Sequence, residues 1–210
     1  MRERELRIYV VTDEVPELSR THEQVAADAM AGGATMIQFR DKRMSDDVFA
    51  ETAVRLLGLT RAAGVPLIVN DRVAIGIAIG ADGVHIGRHD GNALEMIRTL
   101  PTGMILGVSA TSYREAMAMD ACGAHYLGVG PVFPTSTKKD AMPPIGAEEL
   151  GRICRDVRTP VVAIGGIDRH TLPRVIQAGA AGAAVISAIT HAPGMTEATR
   201  ELVQLWNPSV

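Results

Sequence analysis

The chain has few aromatic residues, and its basic residues are not clustered. Phe, Trp and Tyr together make up 3% of the 210 residues, so stacking platforms for single-stranded nucleic acid are not expected. The net charge is −3, with acidic and basic residues mixed along the sequence. A basic face is the usual footprint of a nucleic-acid-binding protein. The composition therefore argues against this class of function.

Cysteines and long apolar runs are also scarce. Cys122 and Cys154 lie on separate predicted helices without metal-ligand spacing, and we expect both to be reduced, structural thiols. The first apolar run is short and ends at Asp13, and no signal-peptide cleavage pattern follows it. No run is long enough to span a bilayer. These features predict a cytoplasmic protein.

Aliphatic residues are abundant, and their pattern alternates along the chain. Near-continuous apolar runs are typical of strands with two buried faces, and a spacing close to 3.6 residues is typical of amphipathic helices. The predicted strands are Arg7–Thr12, Thr35–Arg40, Leu67–Asn70, Gly83–Ile86, Met104–Ser109, His125–Val129, Val161–Ile164 and Ala183–Ile186. The predicted helices are His22–Ala31, Asp46–Ala63, Leu94–Leu100, Tyr113–Ala121, Ala147–Asp156 and Leu172–Ala178.

Glycine pairs mark the ends of these repeated units. Gly32-Gly33, Gly80-Ala81, Gly123-Ala124 and Gly179-Ala180 each precede a strand, where glycine supplies a left-handed helix cap. Eight such units without a linker predict a (β/α)8 TIM barrel over residues 1–210 as one domain. The alternative is an open doubly wound sheet, which the lack of a dinucleotide-binding fingerprint after the first strand disfavours.

In a barrel, reactive groups belong at the C-terminal ends of the strands. Gln38, Arg40 and Lys42 share one parity at the end of the second strand, so they form a basic stripe suited to anions. Asp71 and Asp90 follow the third and fourth strands. Two carboxylates beside an anion-binding surface suit Mg²⁺, although Asp90 is an equally good helix cap.

The later strands end in groups suited to phosphate. Gly128–Asp140 places glycines, hydroxyls and lysine directly after a strand; its candidate ligands are Thr135, Ser136, Thr137 and Lys138. Gly166 and Ser187 follow the seventh and eighth strands, where barrels often bind phosphate. Ser109 ends the fifth strand, and His85 is interpreted as a hydrogen-bonded core residue. Two anion sites on one face favour stabilisation of a departing diphosphate over covalent catalysis.

Taken in order, these motifs resemble the thiamine phosphate synthase family along nearly the whole chain. The matching segments are Tyr9–Asp13, Gln38–Lys42, Asn70–Arg72, Asp82–Gly87, Gly107–Ser109, Tyr126–Lys138, Ala163–Ile167 and Val185–Ile189. The resemblance implies condensation of hydroxymethylpyrimidine diphosphate with hydroxyethylthiazole phosphate. The products are thiamine phosphate and pyrophosphate.

The resemblance also implies residue roles. Contacts to the pyrimidine diphosphate are expected from Gln38, Arg40, Lys42, Asn70, Ser109 and Lys138, of which Arg40, Lys42, Ser109 and Lys138 are the catalytic candidates. Mg²⁺ is expected at Asp71 and Asp90. The thiazole phosphate is expected at Thr135, Thr137, Gly166, Ile186 and Ser187, with Ser136 as a further substrate contact. Arg88 stands where the family commonly has Gln, which adds a positive charge beside the expected metal site.

Three other functions remain as alternatives. A thiazole tautomerase resembles the same barrel but tends to carry His and Cys where this chain has Pro131 and Thr137. A non-catalytic phosphate-binding paralogue would be expected to lose Arg40, Asp71 or Lys138. An unrelated barrel enzyme acting on a phosphorylated sugar would not need the basic stripe together with Asp71. The expected partners are small-molecule substrates, without nucleic acid or membrane, and a homodimer is left open.

Overall fold

The computed structural model describes residues 6–87, 93–135, 137 and 142–207 of the chain. The predicted site residues Asp90, Ser136 and Lys138, together with Arg88, lie outside the described residues. Eight parallel strands close into a barrel in sequence order. They are β1 (Ile8–Thr12), β2 (Met36–Phe39), β3 (Leu67–Asn70), β4 (Gly83–Ile86), β5 (Ile105–Ala110), β6 (Tyr126–Val129), β7 (Val161–Ile164) and β8 (Gly182–Val185).

Helices follow the strands and surround them. Within the described residues they are α1 (His22–Ala31), α2 (Asp46–Ala63), α3 (Val73–Ala78), α4 (Ala93–Thr99), α5 (Tyr113–Asp120), α6 (Gly146–Asp156), α7 (Leu172–Gln177), α8 (Ser187–Thr190) and α9 (Met195–Trp206). A short 3-10 turn at Pro16–Leu18 follows β1. No described helix has the length and apolar character needed to cross a membrane.

The predicted TIM barrel is confirmed, and β3, β4, β7, α1 and α2 have the predicted bounds. The other predicted strands and helices differ by one or two residues at their ends. Helices α3, α8 and α9 were not predicted individually. Helices α3 and α8 are too short to show a helical period. Helix α9 packs on α1 and α7. Cys122 lies in the turn after α5 rather than on a helix, which corrects the prediction. Both cysteines are free thiols.

Alternate residues of each strand point into the barrel or toward the helices, and both faces are buried. Inside the barrel, a small cluster consists of Leu6, Tyr9, Val11, Met36, Ile68, Tyr126, Val162 and Ala184. A larger aliphatic cluster fills the space between the strands and the helices. Burial on both faces explains why the strands appear in the sequence as apolar runs without polar alternation.

Closure of the barrel brings the first strand beside the last. Ile8 pairs with Ala183, and Val10 pairs with Val185. Gly182 begins β8, and a Cβ atom there would lie 1.8 Å from the carbonyl oxygen of Leu6. Two backbones can therefore approach this closely only because the side chain is a hydrogen atom.

We expect Gly182→Ala to destabilise the fold by about 2 kcal/mol or more, since the added methyl must push apart the strands that close the barrel. The matched control is Gly58→Ala within α2, where a Cβ atom would meet nothing within 4 Å. That control should stabilise the protein by about 0.5–1 kcal/mol through helix propensity. Urea denaturation of both variants measures the difference. Equal stabilities would contradict the closure we describe.

Candidate active site

A cavity of about 390 Å³ opens at the C-terminal ends of the barrel strands. Its lining includes every predicted site residue that the structure describes: Gln38, Arg40, Lys42, Asn70, Asp71, Ser109, Thr135, Thr137, Gly166, Ile186 and Ser187. Residues that lie far apart in the sequence thus surround one volume. Their placement at this end is what barrel topology predicts, whereas their individual roles stay predictions.

A larger and shallower groove of about 1100 Å³ lies at the opposite end of the barrel. Thr35, Pro66, Asp82 and Ile105 line it, and they stand at or before the beginnings of strands. Side chains at this face of a TIM barrel usually serve stability rather than chemistry. The smaller cavity is therefore the candidate active site.

Polarity changes with depth in the candidate active site. Gln38 and Asn70 are only 5% and 9% exposed, so the floor of the cavity is buried and carries neutral amides. At the mouth, the Lys42 side chain is 55% exposed, and its Nζ lies 3.7 Å from the Asp71 carboxylate, which is 25% exposed. A buried charge is costly and an exposed one is not. The floor therefore suits an uncharged ring, and the mouth suits a phosphate group.

The turn after β3 presents Asp71 at this mouth. Asp71 has a φ of 61°, a left-handed conformation that Asp and Asn adopt more readily than most residues. Its backbone N–H donates to the carbonyl of His85, and Val73 N–H donates to the carbonyl of Asp71. The turn holds one carboxylate at the rim. Carboxylate oxygen is the ligand type that Mg²⁺ prefers.

The turn that carries Arg40 and Lys42 is held by Asp41 between them. The buried Asp41 carboxylate accepts hydrogen bonds from the backbone N–H of Arg43 at 2.6 Å and of Met44 at 2.9 Å. His22 lies against the same carboxylate, with its Nε2 3.3 Å from Oδ2. These contacts explain how two cations can project from one short segment while the carboxylate between them is buried.

Arg72 holds the same turn from the neighbouring strand. Its guanidinium donates to the carbonyls of Asp41, Met44 and Ser45 and lies 4.2 Å above the ring of Phe49. Nothing in the sequence alone indicates this role for Asp41 or Arg72. Their position inside the Gln38–Lys42 and Asn70–Arg72 motifs is the signal that marked them.

Burial by itself would raise the pKa of Asp41. Hydrogen bonds from Arg43, Met44 and His22 outweigh that effect, so its pKa is lower than usual. A carboxyl group with a lowered folded-state pKa stabilises the fold above its unfolded pKa of about 3.9, and this contribution is lost as the pH falls through the folded value.

Among the described residues, Glu14, His22 and Asp41 form the one group of three side chains close enough to share a metal ion. His22 and Asp41 already have protein partners, because the Nδ1 of His22 bonds Thr12 Oγ1 at 2.8 Å and Asp41 accepts the turn N–H groups. The group therefore has a structural explanation. The predicted pair Asp71 and Asp90 is a different site, of which only Asp71 is described.

The ends of β7 and β8 form the other side of the cavity. Gly165 and Gly166 have φ of 96° and 65°, and a Cβ atom on Gly166 would lie 2.5 Å from the carbonyl oxygen of Pro134. Thr137 Oγ1 donates to Ser187 Oγ at 3.3 Å, which joins the long loop to the start of α8. Hydroxyls and close backbone at this rim suit a phosphate group.

Two tyrosines and a histidine complete the floor, and no function was predicted for them from the sequence. Tyr9, His85 and Tyr126 line the cavity and are buried. The expectation that His85 is a hydrogen-bonded core residue agrees with its contacts to Tyr126 and Ser109. It also reaches the cavity, which the sequence could not show.

Comparison with known proteins gives a consistent match. The thiamine monophosphate synthase family pattern matches residues 8–189. The chain is 47% identical over 196 residues to a thiamine-phosphate synthase of Chloroflexus aurantiacus, covering 93% of this chain and 90% of that protein. It is 46% identical over 200 residues to that of Archaeoglobus fulgidus, covering 95% and 93%. A thiamine phosphate pyrophosphorylase structure from Pyrococcus furiosus superposes with a TM-score of 0.88 at 37% identity, covering 97% and 96%.

We expect Asp41→Asn to lower the free energy of unfolding by about 1–3 kcal/mol at neutral pH, because hydrogen bonds from the N–H groups of the turn to a neutral amide oxygen are weaker than those to a carboxylate, and an NH2 group replaces the Oδ2 that faces His22 and Arg43. The deficit relative to the unmodified protein should shrink as the pH falls below about 4, where the carboxylate also becomes protonated. Denaturant titrations at pH 7 and pH 3 measure both values. Glu51→Gln, at an exposed position of α2, serves as the control and should change little. A deficit that does not depend on pH would contradict the role given to the carboxylate.

Proposed function

This chain belongs to the thiamine monophosphate synthase family, and we propose that its C-terminal cavity binds both substrates of the family reaction, with Mg²⁺ beside the diphosphate. The protein is a transferase. It joins hydroxymethylpyrimidine diphosphate to hydroxyethylthiazole phosphate and releases thiamine phosphate and pyrophosphate.

The observation that carries the proposed binding mode is the arrangement of the cavity. A buried neutral floor lies between a cationic rim at Arg40 and Lys42 and a rim of glycine and hydroxyl groups at Gly166 and Ser187. In a closed barrel of eight strands, β3 and β7 face each other across the axis, so Asp71, which pairs with Lys42 after β3, lies on the side opposite Gly166, which follows β7. Two phosphorylated substrates bound at these rims would bring their rings together above the floor.

The cationic rim is suited to the departing group. When the bond between the pyrimidine methylene carbon and the diphosphate oxygen breaks, negative charge grows on the diphosphate. Arg40 and Lys42 would stabilise that charge because they are fixed in place before the reaction. Asp71 would hold Mg²⁺, which supplies further charge neutralisation when bound. The single described carboxylate fits this ion, which commonly takes one or two carboxylates and completes its shell with water and substrate phosphate.

The opposite rim would position the nucleophile. Thr137, Ser187 and the backbone of Gly166 would bind the thiazole phosphate, so that the thiazole nitrogen points toward the methylene carbon. Holding two reactants in this way replaces an encounter in solution by a step within one complex. The carbon–oxygen bond to diphosphate would break first, and the thiazole nitrogen would then form the new carbon–nitrogen bond to the resulting carbocation. No proton has to move in this step.

The tautomerase alternative is not supported. The relatives reported above are thiamine-phosphate synthases, and they align with nearly the whole chain. The position where tautomerases tend to carry His is Pro131, which lines the cavity and has no titratable group.

Purified protein with both substrates should form thiamine phosphate and pyrophosphate in a Mg²⁺-dependent manner, measured by chromatography of the product. Removal of the ion with EDTA should abolish turnover, and added Mg²⁺ should restore it. Undiminished turnover in EDTA would contradict the metal. Absence of product under saturating substrates would contradict the reaction itself.

Asp71→Asn should reduce kcat/KM by about a hundredfold, which corresponds to about 2.7 kcal/mol of lost transition-state stabilisation. Asn also tolerates the left-handed backbone, so the fold should be retained. The matched control is Asp156→Asn, which loses only the hydrogen bond from the Tyr113 hydroxyl on the outer surface. Full activity of Asp71→Asn would overturn its assignment as a metal ligand. The same measurement on Lys138→Ala tests a residue outside the described part of the chain.

A further inference from the structure

The floor of the candidate active site contains one continuous chain of hydrogen bonds. Gln38 Nε2 donates to the Tyr9 hydroxyl at 2.7 Å, and the Tyr9 and Tyr126 hydroxyls lie 2.8 Å apart. The Tyr126 hydroxyl lies 3.0 Å from His85 Nδ1, and His85 Nε2 lies 2.9 Å from Ser109 Oγ. The chain crosses the barrel interior from β2 to β5, and both of its ends line the cavity.

The first hydrogen bond fixes the direction of all the others. Since the Gln38 amide nitrogen donates to the Tyr9 hydroxyl, the buried Tyr9 proton would lack an acceptor unless Tyr9 donates to Tyr126. Tyr126 then donates to His85 Nδ1. A neutral imidazole that accepts at Nδ1 carries its proton on Nε2, so His85 donates to Ser109. The Ser109 hydroxyl, which accepts from His85, has its own proton directed away from His85.

Burial keeps these groups in the protonation states that the direction requires. Desolvation raises the pKa of Tyr9 and that of Tyr126. Both hydroxyls therefore stay protonated and can donate the hydrogen bonds described above.

Glycines make room for this chain of side chains. A Cβ atom on Gly107 would lie 2.3 Å from the Tyr126 hydroxyl and 2.5 Å from His85 Nδ1. A Cβ atom on Gly128 would lie 2.9 Å from the ring of His85. The His85 and Tyr126 rings stack with centroids 5.5 Å apart. The packing thus holds the His85 ring in the orientation that joins Tyr126 to Ser109.

We propose that Tyr9, Tyr126 and His85 are positioning residues that make Ser109 a fixed hydrogen-bond donor to a ring nitrogen of the pyrimidine substrate. The inference rests on the proposed function, because it takes the pyrimidine as the ligand of the floor. The ring fits better here than the diphosphate does, since the floor is buried and neutral while the cations lie at the mouth. A directed donor also discriminates against rings without an acceptor at that position.

The test is a double-mutant cycle between Tyr126→Phe and Ser109→Ala, measured as the KM for the pyrimidine diphosphate. Each single variant should raise this KM about tenfold, the usual scale for one hydrogen bond. The double variant should be no worse than Ser109→Ala, because Tyr126 acts through Ser109. The KM for thiazole phosphate and inhibition by pyrophosphate should not change. Additive effects would show that Tyr126 does not act through Ser109 and would leave Tyr126 as a packing residue.

Two substitutions of His85 give a second readout. Gln places its amide nitrogen near the position of Nε2 and keeps a donor to Ser109, whereas Asn is too short to do so. His85→Gln should therefore keep the KM for pyrimidine diphosphate within about threefold of the unmodified protein, and His85→Asn should match Ser109→Ala. Equal effects of both variants would contradict the proposed donor.

Substrate analogues test the direction of the last bond. Each of the two pyridine diphosphates that lack one ring nitrogen is compared with the pyrimidine in competition experiments. One of them should bind about tenfold more weakly than the pyrimidine to the unmodified protein, and this difference should disappear in Ser109→Ala. If neither analogue shows this loss, the donor role of Ser109 is wrong.

A control variant separates these effects from loss of stability. Thr199→Val removes a buried hydrogen bond from Thr199 Oγ1 to the Met195 carbonyl within α9, outside the cavity. It should lower the melting temperature without changing any KM. If the unmodified protein forms no thiamine phosphate, the proposed function fails. If it is active but the effects of Tyr126→Phe and Ser109→Ala are additive, only the proposed positioning role fails.

Discussion

The contact between Tyr9 and Tyr126 joins the apolar interior of the barrel to the floor of the candidate active site, and the arrangement of both depends on it. The two rings meet edge to face with centroids 5.7 Å apart, and their hydroxyls are hydrogen-bonded. Apolar side chains such as Leu6, Met36 and Val162 pack with them in the barrel interior. Because a buried hydroxyl must find a partner, the tyrosines also impose polar neighbours. The apolar filling of the barrel thus ends in a polar floor, and the candidate active site begins there.

Binding of two anionic substrates imposes an opposite requirement at the mouth. In the proposed binding mode, the cations of Arg40 and Lys42 must be exposed enough to avoid a desolvation cost, yet fixed enough to act on a departing group. The protein meets this requirement through hydrogen-bonded side chains that hold the turn carrying these two cations. Asp41 is buried by its hydrogen bonds to the turn, and Arg72 holds the same turn through backbone carbonyls. The turn at the rim is therefore held by Asp41 and Arg72, which do not line the cavity themselves.

The helices and strands that the sequence predicts correctly are those with a local physical signal. The apolar runs of β3 and β7 and the amphipathic period of α2 specify elements whose bounds depend on neighbouring residues. Helix α8 has no such signal, because its four residues are too few to show a repeating helical pattern. The sequence also predicts Cys122 on a helix, whereas α5 ends at Asp120 and a left-handed Gly123 follows.

The order of the strands, the barrel class and the gathering of the candidate site residues at one end of the barrel follow from the sequence alone, because hydrophobic periodicity and strand-end polarity are properties of neighbouring residues. The tertiary structure decided which distant side chains meet. Tyr9 and Tyr126 are separated by 117 positions, and no spacing rule relates them. The direction of the hydrogen bonds from Gln38 to Ser109 likewise depends on donors and acceptors from five strands. Such contacts exist only when barrel closure brings those strands around one interior.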